Sequence, residues 1–338
     1  MRKLITLFQK NRILRLLVFL SPLLFTSCVT LTGVVADDPA KVYLPAGEEN
    51  LLDRFAPLFV LQTYKENHNR IGRPTAHVVK KEPRREEIFI DPAEAVMFAE
   101  QRAFSTADGS YTNLVYRIHF AAVPFSLIPF HVTAGNNPGL LVILTLDNMN
   151  QPLLVTTVHT CGCYCAITPT SYLPRRAYPD GWQPTRQELW GETLPAQIDY
   201  PDGSGEKRKL LVFLRDGTHR VMDQQLMKEE EILRNFAPLP ISLEPMGALK
   251  TIPLEDGSVT SFFEEQGWRN GFVKGSYKPW EMLLISWWAL DLNVGCDKEY
   301  GDPLTSPTTF YTSLRPWCRS ASDMRNFPEF LHFRGWKL

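Results

Sequence analysis

The sequence predicts an α+β fold over residues 51–338, a single β-rich domain of antiparallel hairpins packed with a few helices. Three observations lead to it. Short apolar segments of strand composition recur between turn clusters, the clearest being Gly139–Leu146, apolar on both faces and closed by Asp147-Asn148-Met149-Asn150-Gln151-Pro152. Helix starts are few, and no repeat or low-complexity linker divides the chain. The 26 prolines and 8 tryptophans among 338 residues suggest many turns around an aromatic core. A formal net charge of -1 gives nucleic acid no electrostatic attraction, so none is expected as a partner.

Taken in order, the apolar run after Pro57 reads as a buried strand. Lys80–Glu87 alternates charge signs and reads as a solvated loop. Asp91-Pro92-Ala93-Glu94 combines a capping residue, a proline at the first helical position and a glutamate three residues on, and predicts a helix to about Phe104. Leu114–Val123 has strand composition. Leu153–Thr160 should return antiparallel to Gly139–Leu146 and deliver His159 and Cys161 at its end. The proline- and tryptophan-bearing stretch 168–195 predicts a surface excursion.

Hairpins are expected at Ile198–Phe213 and at Leu210–Met222, the second around Asp216-Gly217. A helix capped by Asp223 and stopped by Pro238 should follow, and Asp256-Gly257 should turn a further hairpin. Near 279–292, the segment opening at Pro279 is apolar almost all round, which predicts a buried, tryptophan-rich helix. Asn326-Phe327-Pro328-Glu329 starts a last short helix that Gly335 closes.

The amino terminus carries Arg2, Lys3, Lys10, Arg12 and Arg15 ahead of an apolar run, Leu16–Phe25, which is too short for a bilayer span of roughly 20 residues. It reads as a signal peptide over residues 1–27. Leu24-Phe25-Thr26-Ser27-Cys28 resembles the lipobox of bacterial lipoproteins, with Phe25 where Leu is usual. The resemblance implies a lipidated Cys28, a tether over 28–50 and an exported protein held in the cell envelope through its lipid anchor. Val29, where an acidic residue would mark inner-membrane retention, implies the outer membrane, with the domain facing the periplasm.

Lipidation of Cys28 leaves five thiols, Cys161, Cys163, Cys165, Cys296 and Cys318, in an oxidising compartment. An odd number cannot all pair internally. Cys296 and Cys318 are disulfide candidates, closing a loop of about 22 residues. The run His159-Thr160-Cys161-Gly162-Cys163-Tyr164-Cys165 offers His159, Cys161, Cys163 and Cys165 as metal ligands, with Zn or Cu(I) as the metals that suit thiolates. Alternate residues of a strand lie about 6.6 Å apart, so these donors reach one ion only if Gly162 bends the chain. Cys161 or Cys163 could instead be a catalytic nucleophile, with His131, His159 or His219 as its base. Disulfides and packing are the competing structural explanation.

The order His131, Leu140–Leu146, Pro152, His159 is similar to that of the β-rich domain of vacuolar protein sorting-related proteins, although Val132-Thr133-Ala134-Gly135 stands where an acidic-tryptophan signature belongs. With no complete catalytic signature, the expected role is a lipid-anchored binding or interaction module, with the membrane and an envelope protein as partners. The alternative is a thiolate metal protein or Cys/His enzyme built on residues 159–165.

Overall fold

Every residue of Gly139–Leu146 is buried, and that sets the architecture, because a strand apolar on both faces needs a layer on each. The computed structural model describes residues 39–338 apart from 48–49, 81, 83–84, 184 and 202–206. The expected signal peptide, the lipidated Cys28 and much of the tether lie outside the described residues, as does most of the Pro201–Gly205 turn.

Twelve strands are named here: β1 (Lys41–Pro45), β2 (Leu58–Leu61), β3 (Arg73–Lys80), β4 (Arg85–Asp91), β5 (Val96–Ser105), β6 (Ser110–His119), β7 (Gly139–Leu146), β8 (Pro152–His159), β9 (Cys165–Pro169), β10 (Arg208–Leu214), β11 (Val221–Lys228) and β12 (Ala237–Pro245). The helices are α1 (Leu51–Phe55), α2 (Glu229–Asn235), α3 (Pro279–Ala289) and α4 (Phe327–Phe333). Ten strands form one mixed sheet in the order β9-β8-β7-β6-β5-β12-β1-β2-β10-β11, and β3 with β4 forms a separate ribbon. The described chain is mostly β.

The expected hairpin is present: β8 runs antiparallel to β7, with His159 opposite Leu140. Alternation then divides the core. Leu140, Val142 and Leu144 join Tyr43, Phe59, Tyr116 and Val212 on one face. Leu141 and Ile143 join Val115, Leu154 and Val158 on the other, covered by Phe310, Met324, Phe330 and Trp336 from the carboxyl-terminal segment. The turn at Asp256-Gly257 and the final helix α4 also form as expected.

Several expectations are corrected. The sheet is not purely antiparallel, since β12 lies parallel to both β1 and β5, and β10 parallel to β2. It also reaches into the expected tether, where β1 buries Val42 and Tyr43 between two neighbours. No helix runs from Asp91 to Phe104. Asp91 Oδ1 accepts the Ala93 amide at 2.9 Å, closing a local turn, and Val96–Ala99 are buried between β6 and β12. Burial between strands outweighs a local cap signal worth about 1 kcal/mol.

Asp223 sits inside β11 opposite Phe213, because the apolar strand β10 takes a pairing partner as far as Lys228; the helix waits until Glu229. Ile198 bridges Thr170 rather than pairing with β10. Of the described charges of the 80–87 run, Lys80, Arg85, Glu86 and Glu87 lie on β3 and β4 rather than in a loop, while Glu82 is in an exposed turn between them.

The largest correction concerns α3. It forms where expected, with Pro279 in its first turn, but only Glu281 and Ala289 are buried. Trp287 is 73% exposed and Leu283 67%. Apolarity all round fits either a fully enclosed helix or one that meets an apolar medium, and the pattern alone does not distinguish them.

Candidate functional site

At the end of β8 the chain reverses tightly. The His159 amide donates to the Tyr164 carbonyl at 3.0 Å and the Gly162 amide to the His159 carbonyl at 2.7 Å. Gly162 has φ +84°, and a Cβ there would collide with the Tyr311 carbonyl oxygen, so glycine is required on both counts. This bend gathers what an extended strand would spread over roughly 20 Å. A ring nitrogen of His159 and the sulfurs of Cys161 and Cys163 lie within 4.8 Å of one another. The two sulfurs are at disulfide distance, with Cα atoms 5.5 Å apart.

The bend does not gather all the expected residues. Cys165 pairs with Val158 at the start of β9 and packs against the second core face as a free thiol, its pKa pushed up by burial. His219 stacks on Phe120 at 3.9 Å, and its Nε2 meets the His68 carbonyl at 2.8 Å. Its pKa falls to about 3, chiefly through burial. His131 Nδ1 meets the Pro124 carbonyl at 3.0 Å.

Neither His131 nor His219 is hydrogen-bonded to a sulfur among the described residues, so of the three candidate bases for a cysteine nucleophile only His159 lies beside the sulfurs. His219 contributes through its backbone instead, with its carbonyl 3.2 Å from His159 Nε2. The expected bridge between Cys296 and Cys318 is likewise absent. Both are free: Cys296 is buried with its sulfur accepting from Arg269 Nη1 at 3.4 Å, and Cys318 is half-buried in a surface turn.

Behind the bend is a buried ionic network that the sequence did not signal. Fully buried Asp297 accepts from Thr160 Oγ1 through Oδ1, and from Ser276 Oγ at 2.8 Å through Oδ2, which also lies 3.4 Å from Lys278 Nζ. Burial alone would push this carboxyl up, but Lys278, Thr160 and Ser276 outweigh it and hold it below its ordinary value. Lys298 Nζ donates to the Cys161 carbonyl at 2.7 Å and lies 4.4 Å from the Tyr311 ring centroid; burial lowers its pKa to about 8. Arg117, also buried, donates to the Lys298 carbonyl at 3.0 Å and to His119 Nε2 at 2.8 Å. In Gly295-Cys296-Asp297-Lys298-Glu299 nothing marks charges destined for the interior, since such a run is ordinarily solvated.

A cleft of about 790 Å³ opens elsewhere, among Glu100, Arg102, Arg117, Lys250, Phe263 and Glu299. Its charges are largely paired within the chain: Lys250 with Glu299 at 2.7 Å, and Arg102 with the Tyr300 and Gly301 carbonyls.

The second candidate is the surface built on α3. Phe125 stacks on Trp280 with centroids 5.7 Å apart, and Phe130 meets the same ring edge-on, so the loop carrying Phe125, Leu127, Ile128 and Phe130 continues the helix face. Ile128 is 91% exposed. At the other end Arg319 donates to the Ala289 and Leu290 carbonyls, fixing the turn that carries Trp317, which is 79% exposed. Along α3 the one ionisable side chain, Glu281, points inward, so the outer face is apolar and uncharged. No helix among the described residues is long and apolar enough to cross a membrane.

Comparison of the chain with protein families, curated proteins and solved structures finds no match. The functional reading therefore rests on the residues themselves.

Proposed function

We propose that this chain is a lipid-anchored protein of the bacterial cell envelope, held at the outer membrane and facing the periplasm, that acts as an interaction module. Its contact surface is the apolar face of α3 and the 125–130 loop, and the surface it meets is the interfacial zone of the bilayer. The single observation that carries this reading is the exposure of Trp280, Leu283, Leu284, Trp287 and Trp288 on a helix that shows no charge outward, and of Leu290 just after it.

Water-exposed apolar patches of this kind mark an interaction site. Tryptophan suits the level of the lipid headgroups, where its ring is sheltered and its N–H remains hydrated. A helix too short to span can lie in that plane. An envelope protein seated on the same face is the competing occupant.

The test uses the mature protein reconstituted into phosphatidylethanolamine and phosphatidylglycerol vesicles containing brominated acyl chains. Quenching of tryptophan emission is expected, with a smaller quenched fraction in a Trp287→Phe/Trp288→Phe variant. Emission unaffected by the brominated lipid would overturn the bilayer assignment. The anchor is checked independently by the mass of the amino-terminal peptide, where an unacylated Cys28 would remove it.

A further inference from the structure

We propose that, once their sulfurs are reduced, Cys161 and Cys163 together with His159 form a binding site for Cu(I). The geometry points there first. One nitrogen and two sulfurs lie within 4.8 Å of one another without rearrangement of the backbone, because the left-handed Gly162 has already turned the chain. His159 and Cys163 are half-buried while Cys161 is buried, so an ion has an approach from solvent and a sheltered seat.

The surroundings match those of a metal site. The carbonyl of His219 can only accept, so the 3.2 Å contact places the proton of the His159 ring on Nε2 and leaves the lone pair on Nδ1. A backbone carbonyl fixing the tautomer in this way is the usual support of a metal-bound imidazole. The Cys163 amide lies 3.4 Å from Cys161 Sγ and donates to it. Lys298 Nζ, 2.7 Å from the carbonyl oxygen of Cys161, brings positive charge to the same residue, which suits the single net negative charge of two thiolates around a monovalent cation.

The donor count selects the ion. Among the described residues no fourth His, Cys, Asp or Glu joins the three, and Cys165 packs against the second core face instead. Structural Zn²⁺ almost always takes four protein ligands. Soft sulfur donors suit Cu(I), which the three-donor set can hold without a fourth.

Oxidation state gates the site. A dithiol reductant supplies two electrons and two protons, breaking the Cys161–Cys163 sulfur–sulfur bond to give two thiols while the reductant becomes its own disulfide. Cu(I) then displaces the two thiol protons.

The experiment titrates the full chain with Cu(I) under anaerobic conditions against the competing chelator bicinchoninate, before and after dithiothreitol treatment and removal of the reductant. One Cu(I) per chain is expected in the reduced protein and none in the oxidised one, with a thiolate-to-copper absorption in the near ultraviolet. Cys161→Ser and Cys163→Ser should each abolish competition, His159→Ala should weaken it by at least about tenfold, and Cys165→Ser should leave it unchanged. Alkylating the reduced pair provides the same loss without relying on a variant that folds. Competition retained after alkylation, no uptake by the reduced chain, or a fourfold-coordinated Zn²⁺ held in preference to Cu(I) would each overturn the proposal. Vesicle binding is read separately and does not depend on the outcome.

Discussion

Lys298 Nζ donates to the carbonyl oxygen of Cys161 at 2.7 Å, joining residues 137 apart in the chain. Through this bond, and through Thr160 on Asp297, the carboxyl-terminal segment holds the end of the β8 hairpin in place. The first prediction follows. Asp297→Ala removes the carboxylate opposite Lys278 and leaves a buried ammonium uncompensated, which should cost about 3–5 kcal/mol in urea unfolding. Lys298→Met keeps the aliphatic stem and strands two carbonyls, so about 1–3 kcal/mol is expected.

Gly162→Ala combines a left-handed backbone with a collision against the Tyr311 carbonyl. A loss of about 2–4 kcal/mol should appear in the same unfolding measurement. An unchanged urea midpoint would mean that the bend does not require glycine.

His119 and His219 are both buried with pKa values held below the ordinary 6.5, in each case first by burial. Between the folded and unfolded values the unfolded chain binds more protons. Their contribution is therefore fully present above about pH 6.5 and is lost as pH falls toward the folded values. Thermal unfolding of the metal-free chain should show stability declining between pH 6.5 and 5, before most carboxylates titrate. A flat profile across that window would contradict the burial of neutral imidazoles.

Because Trp287 and Trp288 point to solvent, replacing both with serine should leave stability in water within about 0.5 kcal/mol. Vesicle affinity should fall by about tenfold or more, since each ring withdraws on the order of 1.5–3 kcal/mol of apolar burial from the bilayer. Equal losses of stability and binding would instead make these residues core.

Cys318→Ser should leave both the unfolding midpoint and the oxidised mass pattern unchanged, because Cys318 and Cys296 are free thiols. Peptide mapping that recovers a 296–318 bridge would reverse this.

The sequence by itself determined the β-rich character, the β7–β8 hairpin and the place of His159 and Cys161 at its end, because these follow from apolar runs and turn residues only a few positions apart. It also identified Gly162 as the one residue able to gather the run. Only the tertiary structure decided which members were gathered, since Cys165 turns toward the core through its pairing with Val158. The Asp91–Phe104 segment became a strand because β6 and β12 bury it from both sides, and a local cap cannot register partners so distant in sequence.

The same limit hid the network around Asp297, which draws Gly139, Thr160, Ser276 and Lys278 from distant segments. It also made the expected burial of α3 wrong, because an apolar helix carries no mark of what will cover it. Local pattern specifies which side chains avoid water; the packing of remote segments decides which of them succeed.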